Sequence, residues 1–168
     1  VIALDGNDVD GDNLTYILVQ DSPDGFVDID GSLATFTPDD NYNGTTSFIY
    51  LVTDGELTSS SSIVTIVVNA VNDAPILFSI EDQSIDEDSG LSLALSADDV
   101  DGDLLTYSAV IDGNGDVSVV DNILAVTPNG NYNGSIVVDV SVSDGEYTDS
   151  GSFTLTVNPV NDAPVLAA

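Results

Sequence analysis

The chain has 168 residues, with 30 Asp and Glu side chains and no Lys, Arg, His or Cys, so its formal net charge is −30. Nucleic acid and anionic membrane surfaces should therefore be repelled, and disulfide bonds or zinc–thiolate sites have no side chains to form them. Hydrophobic residues make up 42% of the sequence, which is enough for packed cores, but the stretches between turns are too short to span a membrane.

The first element along the chain is the sequence Asp-Val-Asp-Gly-Asp at residues 8–12, followed closely by Leu-Thr-Tyr. Three carboxylates this close repel one another by roughly 1 kcal/mol per close pair even in water, which favours a bound cation. Ca²⁺ takes six to eight oxygen ligands in flexible geometry, and Asp, Asn and Gly in turns supply them in close succession. The motif is not an EF-hand, because Asn13 and Val19 stand where that loop needs Gly and a bidentate Glu.

Two strands are predicted in the rest of the first half. Every second residue along 46–52 and 64–68 matches a set of alternating apolar residues in the second half of the chain, which has the period of a half-buried strand. These residues are Thr46, Phe48, Tyr50 and Val52, and Val64, Ile66 and Val68. Before them, residues 37–44 read Thr-Pro-Asp-Asp-Asn-Tyr-Asn-Gly, which predicts a turn with Tyr42 packed over the edge of a sandwich. Between them lies Asp54, in an Asp-Gly-Glu sequence.

The second half of the chain repeats the first after about 90 residues, a period that suits a whole domain per repeat. The acidic motif returns at 99–103, the Asn-Tyr-Asn-Gly turn ends at 134, Asp-Gly-Glu returns at 144–146, and Val-Asn-Asp-Ala-Pro occurs at 71–75 and 160–164. Alternating apolar residues predict strands at 91–96, 136–142 and 153–157.

We predict four segments: a first repeat at 1–70 that lacks its opening strands, a linker at 71–75, a complete repeat at 76–158, and a linker at 159–168 leading to a further repeat. We expect the chain to be a window of a longer array. A strand from another chain, such as residues 164–168, is one way in which the first repeat could be completed. The predicted fold is all-β, with tandem Ig-like antiparallel β-sandwiches of Greek-key type in an elongated array.

The sequence resembles the cadherin-like repeats of large bacterial surface adhesins, and more distantly the cadherin ectodomain. That family carries Ala-x-Asp-x-Asp-x-Gly followed by Tyr, and residues 97–103 with Tyr107 are similar, shifted by one residue at the Gly. Its linker Asn-Asp-x-Pro is similar to residues 72–75. The Leu-Asp-Arg-Glu motif of cadherins is absent, and Thr-Pro-x-x-Asn-Tyr-Asn-Gly stands in its place.

The resemblance implies Ca²⁺ ions between consecutive domains, where shared oxygen ligands hold a short linker at a fixed angle. The implied ligands at the complete junction are Asn72, Asp73, Asp99, Asp101, Asp103 and Asp144. Two half-sites are implied as well, formed by Asp8, Asp10, Asp12 and Asp54 in the first repeat and by Glu87, Asn161 and Asp162 at the end of the second. We expect these half-sites to bind Ca²⁺ weakly or not at all.

These features favour a non-catalytic, calcium-rigidified extender of a bacterial cell-surface or secreted adhesin, acting in cell adhesion or biofilm attachment. Its expected partners are neighbouring repeats of the same chain. A calcium-dependent module that binds carbohydrate or another copy of the protein is an alternative. Paired carboxylates can serve glycoside hydrolysis, but a chain without Trp, His or Arg is poorly equipped for a catalytic cleft. An accessory, non-catalytic domain of a secreted glycoside hydrolase is a further alternative. Because extracellular Ca²⁺ modules bind at about 10⁻⁴ to 10⁻³ M, we expect an extracellular location.

Overall fold

The computed structural model describes residues 1–164 and divides the chain into two compact units, Val1–Val71 and Asn72–Ala168. The boundary falls inside the predicted linker at 71–75. Residues 165–168, which include most of the segment considered for completing the first repeat, lie outside the described part of the chain. Every regular element within residues 1–164 is a β-strand, so the predicted all-β fold is confirmed.

Unit 1 consists of two antiparallel sheets, ordered β1-β4-β3 and β2-β5-β6. Its strands are β1 (Ile2–Ala3), β2 (Thr15–Gln20), β3 (Gly25–Asp30), β4 (Leu33–Pro38), β5 (Gly44–Thr53) and β6 (Ser62–Val68). The predicted alternation is clearest in β5, where Thr46, Phe48 and Tyr50 are buried. Together with Leu4, Val27 and Ala34, the last two form the core of the unit.

Unit 2 repeats this arrangement and adds three strands, two before it and one short strand within it. Its strands are β7 (Ile76–Leu77), β8 (Gln83–Asp86), β9 (Leu91–Ala94), β10 (Ala97–Asp98), β11 (Thr106–Ile111), β12 (Gly115–Val120), β13 (Ile123–Pro128), β14 (Gly134–Ser143) and β15 (Thr148–Asn158). The main sheets are ordered β11-β14-β15-β8 and β12-β13-β9, and β10 pairs with β7. Strand β8 runs parallel to β15, whereas the other pairs are antiparallel.

The core of unit 2 lies between its two main sheets. Ile136, Val138 and Val140 of β14 and Leu155 of β15 are at most 1% exposed, because every second side chain of a strand points to the same face. Removing a side chain of this size from water stabilises the fold by about 1.5–3 kcal/mol relative to leaving it exposed. The alternating pattern of the sequence therefore accounts for the sandwich.

The predicted turn at 127–134 is present. The Tyr132 N–H donates to the Asn129 carbonyl oxygen at 3.0 Å, and Asn131 has a φ of 57°, a conformation that Asn tolerates better than most residues. The Tyr132 ring packs against the core, and its hydroxyl donates to the Ser135 carbonyl oxygen at 2.9 Å. Residues 39–42 form the same turn in unit 1, where Asn41 has a φ of 59°.

Candidate metal centre

The second acidic motif forms a tight loop between β10 and β11. The carboxylates of Asp99, Asp101 and Asp103 each place one oxygen within 4.8 Å of the others. Gly102 has a φ of 76° and donates its N–H to the Asp99 carbonyl oxygen, while the Asp103 N–H donates to Asp99 Oδ1 at 3.0 Å. The loop thus turns back on itself and brings together the carboxylates of three acids that lie at alternate positions in the sequence.

One oxygen of this loop has no partner in the protein. Asp99 Oδ2 is buried and accepts no hydrogen bond, within the part of the chain that the structure describes. A buried polar atom left unpaired costs about 1–3 kcal/mol, and more when it carries charge. An orphaned carboxylate oxygen beside two further carboxylates is the environment that a hard divalent cation satisfies. The residues present therefore fit Ca²⁺.

Asp144, in the loop after β14, lies close to the linker. Its Oδ2 accepts the Asn72 Nδ2 hydrogen at 2.8 Å, and its Oδ1 accepts the N–H groups of Glu146 and Tyr147. Burial alone would raise the pKa of Asp144, but these hydrogen bonds, that from Tyr147 foremost, hold the pKa below its usual value. The side chain therefore remains a carboxylate, which is the form that binds a metal.

Asp73 connects the linker to the acidic loop. Its N–H donates to Asp101 Oδ2 at 2.7 Å, so residues 72 and 73 are held by Asp144 and Asp101 respectively. Four of the six ligands implied for the junction are linked in this way, and the other two, Asp99 and Asp103, belong with Asp101 to the three-acid loop. Carboxylate and amide oxygens, which Asp73 and Asn72 carry, are donors that Ca²⁺ prefers. The carboxylates gathered within 4.8 Å of one another in the described part of the chain are those of Asp99, Asp101 and Asp103.

The first motif is arranged differently. Asp8 Oδ1 accepts three N–H groups of its own loop, from Asp10, Gly11 and Asp12, at 2.8–3.1 Å. Asp54 Oδ1 accepts the N–H groups of Leu57 and Glu56, which lower the pKa of Asp54. Within residues 1–164, the second motif and not the first gathers three acids within 4.8 Å.

Glu87 forms a separate buried site. The side chain is 8% exposed; its Oε1 accepts the Val160 N–H and its Oε2 accepts the Asn133 Nδ2 hydrogen at 3.3 Å. Asn161 and Asp162 are exposed, and Asn161 Nδ2 donates to the Asp162 carbonyl oxygen. The partners Asn133 and Val160 were not predicted as site residues, although Asn133 belongs to a repeated Asn-Tyr-Asn-Gly motif that could have indicated it.

Two consecutive β-sandwiches, each with an acidic loop just before the equivalent strand, β2 in unit 1 and β11 in unit 2, define a tandem Ig-like array. The sequence profile of the bacterial Ig domain family matches residues 1–67 and 72–158. The chain therefore belongs to the bacterial Ig domain family and contains two of its domains. No curated protein matches the sequence.

Solved structures of cadherin repeats share this fold. The human protocadherin-24 EC1-2 structure is similar with a TM-score of 0.65 and 16% identity, over 97% of this chain and 88% of that one. The human mucin-like protocadherin EC1-2 structure gives a TM-score of 0.57 and 21% identity, over 89% and 86%. Identities this low show the fold alone, and the cadherin-like architecture expected from the sequence is confirmed.

A third similarity is weaker. Two structures of an endo-fucoidan hydrolase from glycoside hydrolase family 107 each give a TM-score of 0.42, with 19% and 20% identity, over 90% of this chain. This chain spans only 24% of the length of that protein, so the match carries no argument about catalysis. None of residues 1–164 forms a helix that could cross a membrane.

Proposed function

We propose that the two domains are a non-catalytic extender of an extracellular bacterial adhesin and that Ca²⁺ bound at the start of unit 2 makes the linker rigid. Tandem Ig-like and cadherin-like domains are typical of such extended, adhesion-type proteins and are typically non-catalytic. The partners of each domain are then the neighbouring repeats of the same chain. The role in cell adhesion or biofilm attachment follows from this type of architecture and is part of the proposal.

The orphaned Asp99 Oδ2 beside a linker already held by Asp101 and Asp144 is the observation that carries the proposal. A cation at this point completes the coordination of Asp99 and offers further ligand positions to Asn72 and Asp73. The linker that follows unit 1 then becomes part of the metal shell of unit 2. Bending of the linker would require loss of metal ligands, so the ion opposes it.

Charge favours the same role. The net charge of −30 has no cationic side chain to offset it, and acidic loops without a counter-ion repel one another. Sites of this type bind at about 10⁻⁴ to 10⁻³ M, a range that suits extracellular Ca²⁺ and not the cytosol. Extracellular Ca²⁺ would therefore neutralise the negative charge of the acidic loops and, at the same time, stiffen the array.

Calorimetric titration of the full chain with Ca²⁺ tests the proposal. We expect binding with a Kd of about 10⁻⁴ to 10⁻³ M, abolished by the pair Asp99→Ala and Asp101→Ala. The matched pair Asp8→Ala and Asp10→Ala in the first motif should leave that binding unchanged.

Small-angle scattering tests the rigid linker. It should show a longer, narrower distribution of interatomic distances with Ca²⁺ than with chelator. Absence of binding, or equal loss in both variant pairs, would refute the site.

A glycan array with the Ca²⁺-loaded chain addresses the alternative function. The extender requires no ligand, so we expect no glycan to be retained, and solution mass should correspond to one chain. Retention of a defined glycan that chelation abolishes would replace the extender with a carbohydrate-binding module. A Ca²⁺-dependent dimer would instead favour a module that binds another copy of the protein.

A further inference from the structure

The outer face of one sheet in unit 1 is apolar and uncharged. Strands β2, β5 and β6 contain no charged residue, although the chain has 30 acidic side chains. Alternate residues of these strands pack into the core, and six apolar side chains point away from it. Four of the six are 41–66% exposed and the other two are half-buried. We call them the outer patch, which consists of Ile17, Val19, Ile49, Leu51, Ile63 and Val67.

Cross-strand pairing makes the centre of the outer patch contiguous. Ile17 lies opposite Leu51 in the pairing of β2 with β5, and Ile63 lies opposite Ile49 in the pairing of β5 with β6. The Cβ atoms of directly opposite residues are about 4.5–5.5 Å apart, so the side chains of each pair are neighbours. Apolar side chains that are exposed side by side, unlike those scattered singly, indicate a binding surface.

Unit 2 shows that the fold does not require an apolar face at this place. At the same pairing positions, Ser108 lies opposite Ser141 and Asp139 lies opposite Ser152. The hydroxyls of Ser108 and Ser141 form a hydrogen bond of 2.9 Å. Because unit 2 builds the equivalent sheet with a polar and charged surface, folding alone does not explain the apolar residues of unit 1.

The exposure of the outer patch does not depend on residues that would precede unit 1. In unit 2, the segment at residues 72–90 precedes the repeated strands, and Ser108, Asp139 and Ser152 are nevertheless exposed. That segment pairs with strand edges, through β8 on β15 and β7 on β10, and leaves this outer face uncovered. An equivalent segment before unit 1 would therefore leave the outer patch uncovered as well.

The dimensions of the outer patch suit one helix. From Val67, which lies opposite Thr45, to Ile17, opposite Leu51, it extends about 20 Å along β5, and three strands are about 14 Å wide. An α-helix with its side chains is about 10–12 Å across, and about 14 residues of helix are about 20 Å long. The face measures about 300 Å², whereas a stable dimer buries about 800 Å² per partner, so its size favours a helix over a second copy.

Charge specifies what must flank the apolar side of that helix. The nearest acids along the chain lie just beyond the strand ends, at Asp12 before β2, Asp21 after β2 and Asp54 after β5. The net charge of −30 repels any acidic partner, a second copy included. An apolar stripe flanked by Lys or Arg complements an uncharged apolar centre with acids at its ends.

We infer that the outer patch binds a cationic amphipathic helix of a partner protein. The apolar stripe of the helix lies on Ile49 and Ile63, and its Lys or Arg side chains face the acids at the strand ends. A helix packed on one face of an antiparallel sheet is a common layer arrangement, and its apolar residues recur at i, i+3, i+4 and i+7. This binding involves unit 1 and needs no Ca²⁺, so it stands or falls separately from the metal site of unit 2.

Two synthetic peptides added to the full chain test the inference. Both have about 18 residues, or about 27 Å of helix, with the same numbers of Leu and Lys. In one peptide the Leu residues form a stripe at helical spacing, and in the other they are spread around the helix. Both peptides carry the same charge, so a difference in affinity reports the apolar stripe.

The titrations are done with chelator in salt of about 1 M, where the Debye length is about 3 Å. We expect the striped peptide to bind at least about tenfold more tightly than the other, a difference of about 1.4 kcal/mol. NMR should show saturable shifts in amides of β2, β5 and β6. Lowering the salt to about 0.15 M, where the Debye length is about 8 Å, should tighten the binding of both peptides.

A matched variant copies the surface of unit 2 onto unit 1. Ile49→Asp with Ile63→Ser introduces the residue types of the Asp139–Ser152 pair, and the striped peptide should bind this variant at least about tenfold more weakly. The new carboxylate would strengthen non-specific attraction of a cationic peptide, so weaker binding reports lost apolar contact. The reciprocal variant, Asp139→Ile with Ser152→Ile, should leave binding to unit 1 unchanged.

Circular dichroism checks that both variants fold. If the first does not, Ile17→Ser with Leu51→Ser replaces it, because this pair copies Ser108 and Ser141 of unit 2, and the same loss of affinity is expected.

The inference is wrong if the two peptides bind equally, if folded variants of the outer patch keep full affinity, or if the shifts lie in unit 2. A peptide-free dimer that Ile49→Asp with Ile63→Ser dissociates would make a second copy the occupant and would also overturn it. Co-sedimentation with phosphatidylcholine vesicles, lost in the same variant, would overturn it in favour of a lipid surface.

Discussion

Asp8 and Asp99 occupy equivalent positions in two loops of nearly the same sequence, yet their surroundings differ. Asp8 Oδ1 is shared by three N–H groups of its own loop. Asp99 Oδ1 accepts one N–H, from Asp103, while its Oδ2 is buried and has no hydrogen-bond partner among residues 1–164. The presence of residues 72–77 in unit 2 accompanies this difference, because they contribute the linker contacts to Asp101 and Asp144. In unit 2, the gathered acids and the segment that precedes them therefore occur together.

The cores give the same lesson. Strands β7 and β8 are short, but unit 2 buries the inward-facing residues Phe153, Leu155 and Val157 of β15, whereas unit 1 leaves the matching residues of β6 half-buried. The strands that carry the strongest hydrophobic alternation are equivalent in the two units. What closes the sandwich is a weakly patterned strand, Gln-Ser-Ile-Asp, that adds one apolar side chain and completes a sheet.

The largest difference between the units should come from core truncation. Leu155→Ala should destabilise unit 2 by about 2–5 kcal/mol, because the side chain is fully buried and leaves a cavity. The matched change Ile66→Ala in unit 1 should cost about half as much or less, since that side chain is half-buried. Native-state hydrogen exchange by NMR reports the free energy of opening of each unit. Equal costs would mean that the two cores are equally closed.

A glycine pair sharpens the comparison of the turns. Gly134 has a φ of 143°, and a Cβ at this position would lie 2.8 Å from the Tyr132 hydroxyl oxygen. Gly44 has a φ of 135°, and a Cβ there would lie 3.3 Å from the Tyr42 hydroxyl oxygen. Gly134→Ala should therefore destabilise unit 2 by about 1–3 kcal/mol, and Gly44→Ala should destabilise unit 1 by less. Thermal unfolding and exchange measure both. Adding Tyr132→Phe should relieve part of the Gly134→Ala cost, and a purely additive result would contradict this origin.

Much of the fold could be predicted from the sequence, because alternating residues such as Ile136, Val138 and Val140 specify both the strand and its buried face. The parallel pairing of β8 could not, since residues 83–86 contain a single large apolar side chain and their partner lies about 70 residues away. Single-strand patterns carry no information about such long-range register.

The candidate site was predictable in part for a similar reason. Spacing identifies Asp99, Asp101 and Asp103, and the resemblance to cadherin repeats brings in Asn72, Asp73 and Asp144. The lack of a partner for Asp99 Oδ2 within residues 1–164 depends on packing and cannot be read from local sequence. The repeated Asn-Tyr-Asn-Gly motif marks Asn133, but its pairing with Glu87 depends on contacts between distant segments.

A smaller effect should separate the two Asp-Gly-Glu loops. Asp144→Asn removes a carboxylate that contacts the linker, so we expect Ca²⁺ affinity to fall about tenfold, or about 1.4 kcal/mol. Asp54→Asn, at the matching position of unit 1, should leave the affinity of the site in unit 2 unchanged. Calorimetry under identical buffer gives both values. If the two variants lose affinity equally, the linker contact is not what distinguishes the loops.

The smallest effect concerns the linker amide. Asn72→Ala removes one hydrogen bond that lowers the pKa of Asp144, so that pKa should rise toward its usual value. A carboxylate with a lowered pKa adds stability above its unfolded pKa and loses that stability as pH falls through its folded pKa. The variant should therefore lose less stability on acidification of the Ca²⁺-free protein.

Asn161→Ala is the control, because within the described residues the Asn161 side chain donates a hydrogen bond only to the neighbouring Asp162 carbonyl oxygen. NMR titration of the Asp144 carboxyl carbon should show an upward shift for Asn72→Ala alone, and an unchanged pKa would mean that the linker is not held by this carboxylate.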